Sequence, residues 1–151
     1  MSKIKSFRGQ IKDEGIETIP LSTNNGSVGY KIVKFQVIPS EDADSEQSIK
    51  IYSIPQTTAT NDINFEDNTL LAACFFSMSV AAHTGPEDIT IVFDNMVFNQ
   101  DIYITNKAHN AAQTMNYYIE LEQMKLDLNE NTIATLKDIR NIEAQWANNI
   151  T

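Results

Sequence analysis

Cysteine is nearly absent. Cys74 is the only one in 151 residues, and a single thiol excludes an internal disulfide framework. It stands inside LLAACFFSM, where a small buried hydrophobe is the expected role. Histidine is almost as scarce. His83 and His109 occupy separate polar stretches with no HxxxH spacing, and a structural zinc takes about four ligands, so both are expected as exposed loop residues and no metal site is expected. Positive charge is sparse too: 11 Lys and Arg stand against 20 Asp and Glu, a formal net charge of −9 and a pI near 4.5. Binding to a phosphate backbone calls for clustered basic residues, which makes direct nucleic-acid contact an unexpected role. The only loose basic cluster is Lys3, Lys5, Arg8 and Lys12. No apolar run approaches the roughly 18 residues of a spanning helix, and the basic start SKIKSFRGQ has no apolar secretory core behind it. No membrane partner is expected, and synthesis in the cytoplasm is. Asn25 and Asn149, though they head glycosylation sequons, then carry no glycan. With 5 Gly and 4 Pro, many turns fall to Asn, which tolerates the left-handed backbone region.

What the chain does have is alternation. Ile4 to Ile11, Ile16 to Leu21 and Tyr30 to Ile38 read as strands, with Val33, Phe35 and Val37 on one face of the third. Asp13-Glu14-Gly15 and Asn24-Asn25-Gly26 are turn signals. Pro20 and Pro39 mark strand ends. Glu41, Asp42, Asp44 and Glu46 make an acidic, solvated loop, before a strand from Ile49 to Ile54. Gln56 to Asn68 reads as loop. Leu70 to Met78 is continuously apolar and fits a buried strand better than a helix.

The most informative run is Ile89 to Leu128: strand, turn, strand, loop, strand. Ile89, Ile91 and Phe93 are expected inward, and Asp101 to Thr105 forms a further strand. Met115, Tyr117, Ile119 and Leu121 share a face, and then the parity flips to Met124, Leu126 and Leu128, as a β-bulge would make it. The end is ambiguous between a strand to about Ile139 and a helix. Ile133, Leu136, Ile139 and Ile142 recur every third residue, and Trp146 follows. Eight or nine short strands predict an all-β protein, a single antiparallel β-sandwich of jelly-roll type over residues 1–140. Residues 141–151 are expected as a C-terminal arm or short helix.

Catalytic patterns are thin. No GxSxG, P-loop or dinucleotide glycine motif occurs. Glu120 and Glu122 share a strand face as a glycosidase pair would, but solvent-side carboxylates on an antiparallel strand look the same. Asp62, Asn64 and Glu66 have the spacing of a calcium loop's first ligands. Asp67 stands where the sixth position needs Gly, and Ala73 at the twelfth cannot ligate. No cofactor and no enzyme activity are expected. Aromatic residues on strand faces point instead to contact surfaces. Tyr118 and Tyr103 are expected at least partly exposed, and Trp146 with Ile142 is expected to dock the chain's end onto its own domain or a neighbour.

The segments KIKSFRGQI, DNTLLAACFF, TIVFDNMVFNQDIYIT and MNYYIELEQMKLDLNENTIATLKDIRN resemble a family of small virion structural proteins of marine tailed bacteriophages. The resemblance spans roughly Lys3 to Asn141, and its motifs are structural, so no catalytic residue is carried over. It implies a virion component made in host cytoplasm, with itself and the major capsid protein or other virion proteins as partners. A capsid decoration or minor capsid protein bridging shell subunits fits best. A tail, fibre or spike component and a carbohydrate- or calcium-binding β-sandwich stay open beside it.

Overall fold

The computed structural model describes residues 3–21, 27–79 and 86–126. They form eight strands: β1 Lys3–Ile11, β2 Ile16–Ile19, β3 Val28–Pro39, β4 Ser45–Tyr52, β5 Leu70–Met78, β6 Pro86–Phe93, β7 Ile102–Ala108 and β8 Met115–Lys125. No helix occurs among the described residues. Two antiparallel sheets pack face to face, one of three strands in the order β1-β8-β3, the other of five in the order β2-β7-β4-β5-β6. The turn at Asn24 to Gly26, His83, and the expectations for Ile133 to Ile139, Ile142 and Trp146 lie outside the described residues.

The strand order is that of a jelly roll with one change. In a jelly roll of eight strands the first, eighth, third and sixth share a sheet, and the second, seventh, fourth and fifth share the other. Here β6 stays in antiparallel pairing with β5 instead of crossing to β3. The chain crosses only after it, where Phe98 and Tyr30 exchange main-chain hydrogen bonds of 2.8 and 2.9 Å. Among the described residues β6 is left as an edge strand of the wider sheet.

Period-two alternation fills the space between the sheets. Ile49, Ile51, Cys74, Phe76, Ile102, Ile104, Met115, Ile119 and Leu121 are all fully buried in one cluster. β3 reaches the same core on both parities. Tyr30 and Ile32 point in from even positions, Phe35 and Val37 from odd ones, because the register with β8 slips between Ile32 and Lys34. Val33 is the extra residue of that bulge and is only half-buried. The expectation that Val33 shares the inward face is therefore corrected: a one-residue bulge reverses every side chain beyond it. The bulge expected in β8 is on β3, since β8 keeps an unbroken register with β1 down to Gln123.

β4 and β5 are buried on both faces. One face meets the core. The other lies under residues 53–69, where Ile63 packs on a small cluster of Tyr52, Leu70 and Ala73. β4 also starts earlier than its apolar run, at Ser45, because polar bonds replace apolar contacts there. Gln47 Nε2 donates to Asn106 Oδ1 at 2.7 Å, and Asn106 Nδ2 donates to the Ile11 carbonyl at 3.0 Å. A buried amide pair with its bonds made costs little and fixes register. It also holds the corner where β1 passes to β2, at which Glu14 takes a left-handed φ of 65° and its N–H donates to the Asn106 carbonyl at 2.7 Å.

Candidate functional site

The least expected group is Lys50. Its alternation with Ile49 and Ile51 places it on the outer face of the wider sheet, yet it is only 1% exposed. The segment 53–69 closes over it. Its ammonium donates to Thr60 Oγ1 at 2.8 Å and to the Asp62 carbonyl at 2.6 Å, and lies 5.4 Å from the centre of the Tyr52 ring. Burial pulls the Lys50 pKa below its ordinary value, and the carboxylates of Asp62 and Asp67 partly offset that. The Tyr52 hydroxyl is pushed up to about 12, chiefly by burial and then by Asp67 and Asp62. Asp62 is held lower than usual, first by a hydrogen bond from Thr60 and, more weakly, by Lys50.

This arrangement bears on the calcium spacing seen in the sequence. Asn64 Oδ1 accepts from the Glu66 N–H at 3.0 Å, and Asp67 Oδ1 accepts from the Thr69 N–H at 2.9 Å and its hydroxyl at 2.6 Å. These side chains fold the loop back on itself, and the Lys50 ammonium donates to its Asp62 carbonyl. Among the described residues no group of three His, Cys, Asp or Glu is placed to hold a metal ion.

Lys50 anchors this loop at Thr60 and Asp62, and Phe65 follows three residues after Asp62. Ile89, 45% exposed, lies farther along β6; Phe65 is 70% exposed, and beside it at the β6 edge stand Val92 and Phe93 at 47 and 40%. A groove of about 360 Å³ runs between them, lined by Phe65, Asp67, Leu70, Val92, Phe93 and Met96. Ile89, Ile91 and Phe93 do face the core side, opposite Phe76, Cys74 and Ala72. Their burial is incomplete because the three-stranded sheet is too narrow to cover the fifth strand. Single exposed apolar side chains are ordinary, whereas a contiguous group marks a contact surface.

The second surface is the outer face of the three-stranded sheet. Tyr118 sits at its centre, half-buried, between Arg8 on β1 and Gln36 on β3. Its hydroxyl donates to Glu120 Oε2 at 2.8 Å, and the Lys34 ammonium lies 6.0 Å from its ring centre. The hydrogen bond to Glu120 is the main reason its pKa is raised. Glu122 pairs with Lys31 at 3.8 Å. Glu120 and Glu122 are thus bonded to neighbours on the sheet. A hollow of about 480 Å³ lies at one end, lined by Arg8, Gln10, Gln36, Ile38, Asn116 and Tyr118 among others.

Tyr103 is on neither surface. It lies half-buried on the outer face of the wider sheet, across from Thr18 and Tyr52. Burial, then Asp101, raises its pKa. His109 is exposed, but its Nε2 is 2.9 Å from Ser48 Oγ and its ring meets Phe75 edge-on at 5.4 Å. Sequence reading missed Lys50, Phe65 and Val92. The one available signal was ITIVF at Ile89 to Phe93, a run with no charge or proline to protect an edge.

Taken together, the class is an antiparallel β-sandwich with a jelly-roll strand order and an apolar rim at one sheet edge. Compared with known proteins, the chain matches no family model and no curated protein.

Proposed function

We propose that this chain is a non-enzymatic structural protein of a phage virion, a capsid decoration or minor capsid protein that bridges shell subunits. The observation that carries it is the apolar rim of Phe65, Val92 and Phe93, with Ile89 farther along the same strand, on an edge that is open among the described residues. A rim of that kind suits main-chain pairing with a strand of another subunit, with alternate side chains filling pockets. The resemblance of Lys3 to Asn141 to small virion proteins supports the same reading. On a symmetric shell, a small interface repeated at many equivalent sites gives firm attachment by multivalency. The outer face around Tyr118 offers a second contact, so one copy can touch two neighbours.

Copy number tests it. Quantitative mass spectrometry of purified particles is expected to find the chain near stoichiometric with the major capsid subunit. A few copies per particle would move it to the tail, fibre or spike. Absence from particles would overturn the virion reading.

A further inference from the structure

Among the described residues the sandwich has four sheet edges, and three of them carry devices that discourage pairing along the strand. β1 carries Lys3, Lys5 and Arg8. β2 is four residues long and is followed by Pro20. β3 has the Val33 bulge, flanked by Lys31 and Lys34, and its start is already paired to Phe98. β6 opens on Pro86, Glu87 and Asp88 with a register shift against β5 there, but its second half, Ile89 to Phe93, has no charge, no proline and no bulge. Among the described residues nothing pairs with this apolar half of the edge, and an apolar edge left open invites aggregation, which makes a strand laid along it the stable arrangement.

The chemistry at the rim selects the strand. Asp67 and Asp94 line the groove beside β6. The segment Lys3 to Lys12 carries four basic residues and no acidic one, in a chain whose net charge is −9. Among the described residues β1 is also a sheet edge, paired with β8 alone. It packs on the β2 side of the sandwich, and β3 packs on the β6 side. The β1 and β6 edges therefore face opposite ways, and one copy can offer both at once.

We infer that the β6 edge is a strand-addition site filled by β1 of a second copy of this chain, the basic strand lying along the acidic, apolar rim. The contact is heterologous, so it grows into rings or open arrays instead of closing as a two-fold dimer. The inference rests on reading the β6 rim as a protein-binding surface; it names the occupant.

Sedimentation velocity of the full chain over a concentration series tests it. The average mass is expected to rise with concentration at low salt and to fall back towards the monomer at high salt. Val92→Lys, at an exposed β6 position, weakens association about tenfold or more, as does the triple variant Lys3→Glu, Lys5→Glu, Arg8→Glu. Phe65→Ser, in the loop, gives a second rim variant that leaves the strands intact. Circular dichroism melts establish that each variant is folded. An equimolar mixture of the rim variant and the β1 variant restores a 1:1 complex, because each supplies the edge that the other lacks. A wild-type chain that stays monomeric throughout overturns the inference, as does a mixture that stays monomeric. Monomers that still bind shells would overturn self-pairing alone, and self-association by a chain absent from particles would overturn the virion reading alone.

Discussion

Lys50 illustrates how a charge is kept inside a small sandwich. Its ammonium is desolvated, but two oxygens and the Tyr52 ring surround it, and two carboxylates stand behind them. Such a group does more to fix the position of its covering loop than to raise stability, because the desolvation cost offsets most of the attraction. The same burial makes stability depend on alkaline pH, with two opposite signs. Lys50 has a depressed folded pKa, so between that value and 10.5 the unfolded chain holds a proton that the folded chain has lost, and stability rises with pH. Tyr52 is raised from 10.0 to about 12. Between those values the folded chain holds a proton that the unfolded chain has lost, and stability falls as pH rises. Tyr117 acts in the same direction. Tyr52→Phe is therefore expected to flatten the fall in urea midpoint above pH 10, measured against wild type from pH 8 to 12. An unchanged slope would remove Tyr52 as a cause.

Residue roles were legible where the local run decides them. LLAACFFSM is apolar throughout and puts Cys74 in the core, and the alternation around Tyr118 puts it on a half-exposed face with Glu120. Lys50 was not legible. A lysine between two isoleucines reads as solvent-facing, and what covers it is a polar loop with no periodicity.

At the scale of elements, β8 organises the narrow sheet. It is flanked on both sides, and its inward residues Met115, Tyr117, Ile119 and Leu121 are all buried. Tyr117 reaches over β1 to donate to Glu17 Oε2 at 2.8 Å, which ties the narrow sheet to β2. Gly9 makes room for it: a Cβ at that position would lie 2.7 Å from the Tyr117 hydroxyl oxygen. Gly9→Ala is expected to push the ring off Glu17 and cost about 1–3 kcal/mol, the usual range for overpacking. A thermal melt checks this, and a midpoint equal to wild type would show that the sheets part to accommodate the methyl group. Strand positions were largely legible from alternation and turn residues. Register was not. The Val33 bulge depends on which residue of β8 faces it, a long-range match that no window of the sequence contains.

For the whole molecule, the class was legible and the departure from it was not. Eight alternating segments with Asn- and Pro-marked turns imply a sandwich, and the observed order keeps the jelly-roll pattern for seven strands. The choice of β5 over β3 as the partner of β6 is a tertiary outcome, and it creates the apolar rim. Of the contact residues expected from sequence, Tyr118 lies on a candidate surface, while Tyr103 lies away from both. The rim itself gathers Phe65 and β6, which are far apart in the chain and become neighbours only through the loop that Lys50 anchors.

The proposal stands or falls on whether this rim, by joining copies of the chain edge to edge, is what holds the protein on a shell. Co-sedimentation with purified shells lacking the chain measures it most directly, comparing wild type with Val92→Lys and Phe65→Ser. Wild type is expected to pellet saturably with the shells while both rim variants stay in the supernatant. Equal pelleting of all three, or of none, would contradict the account.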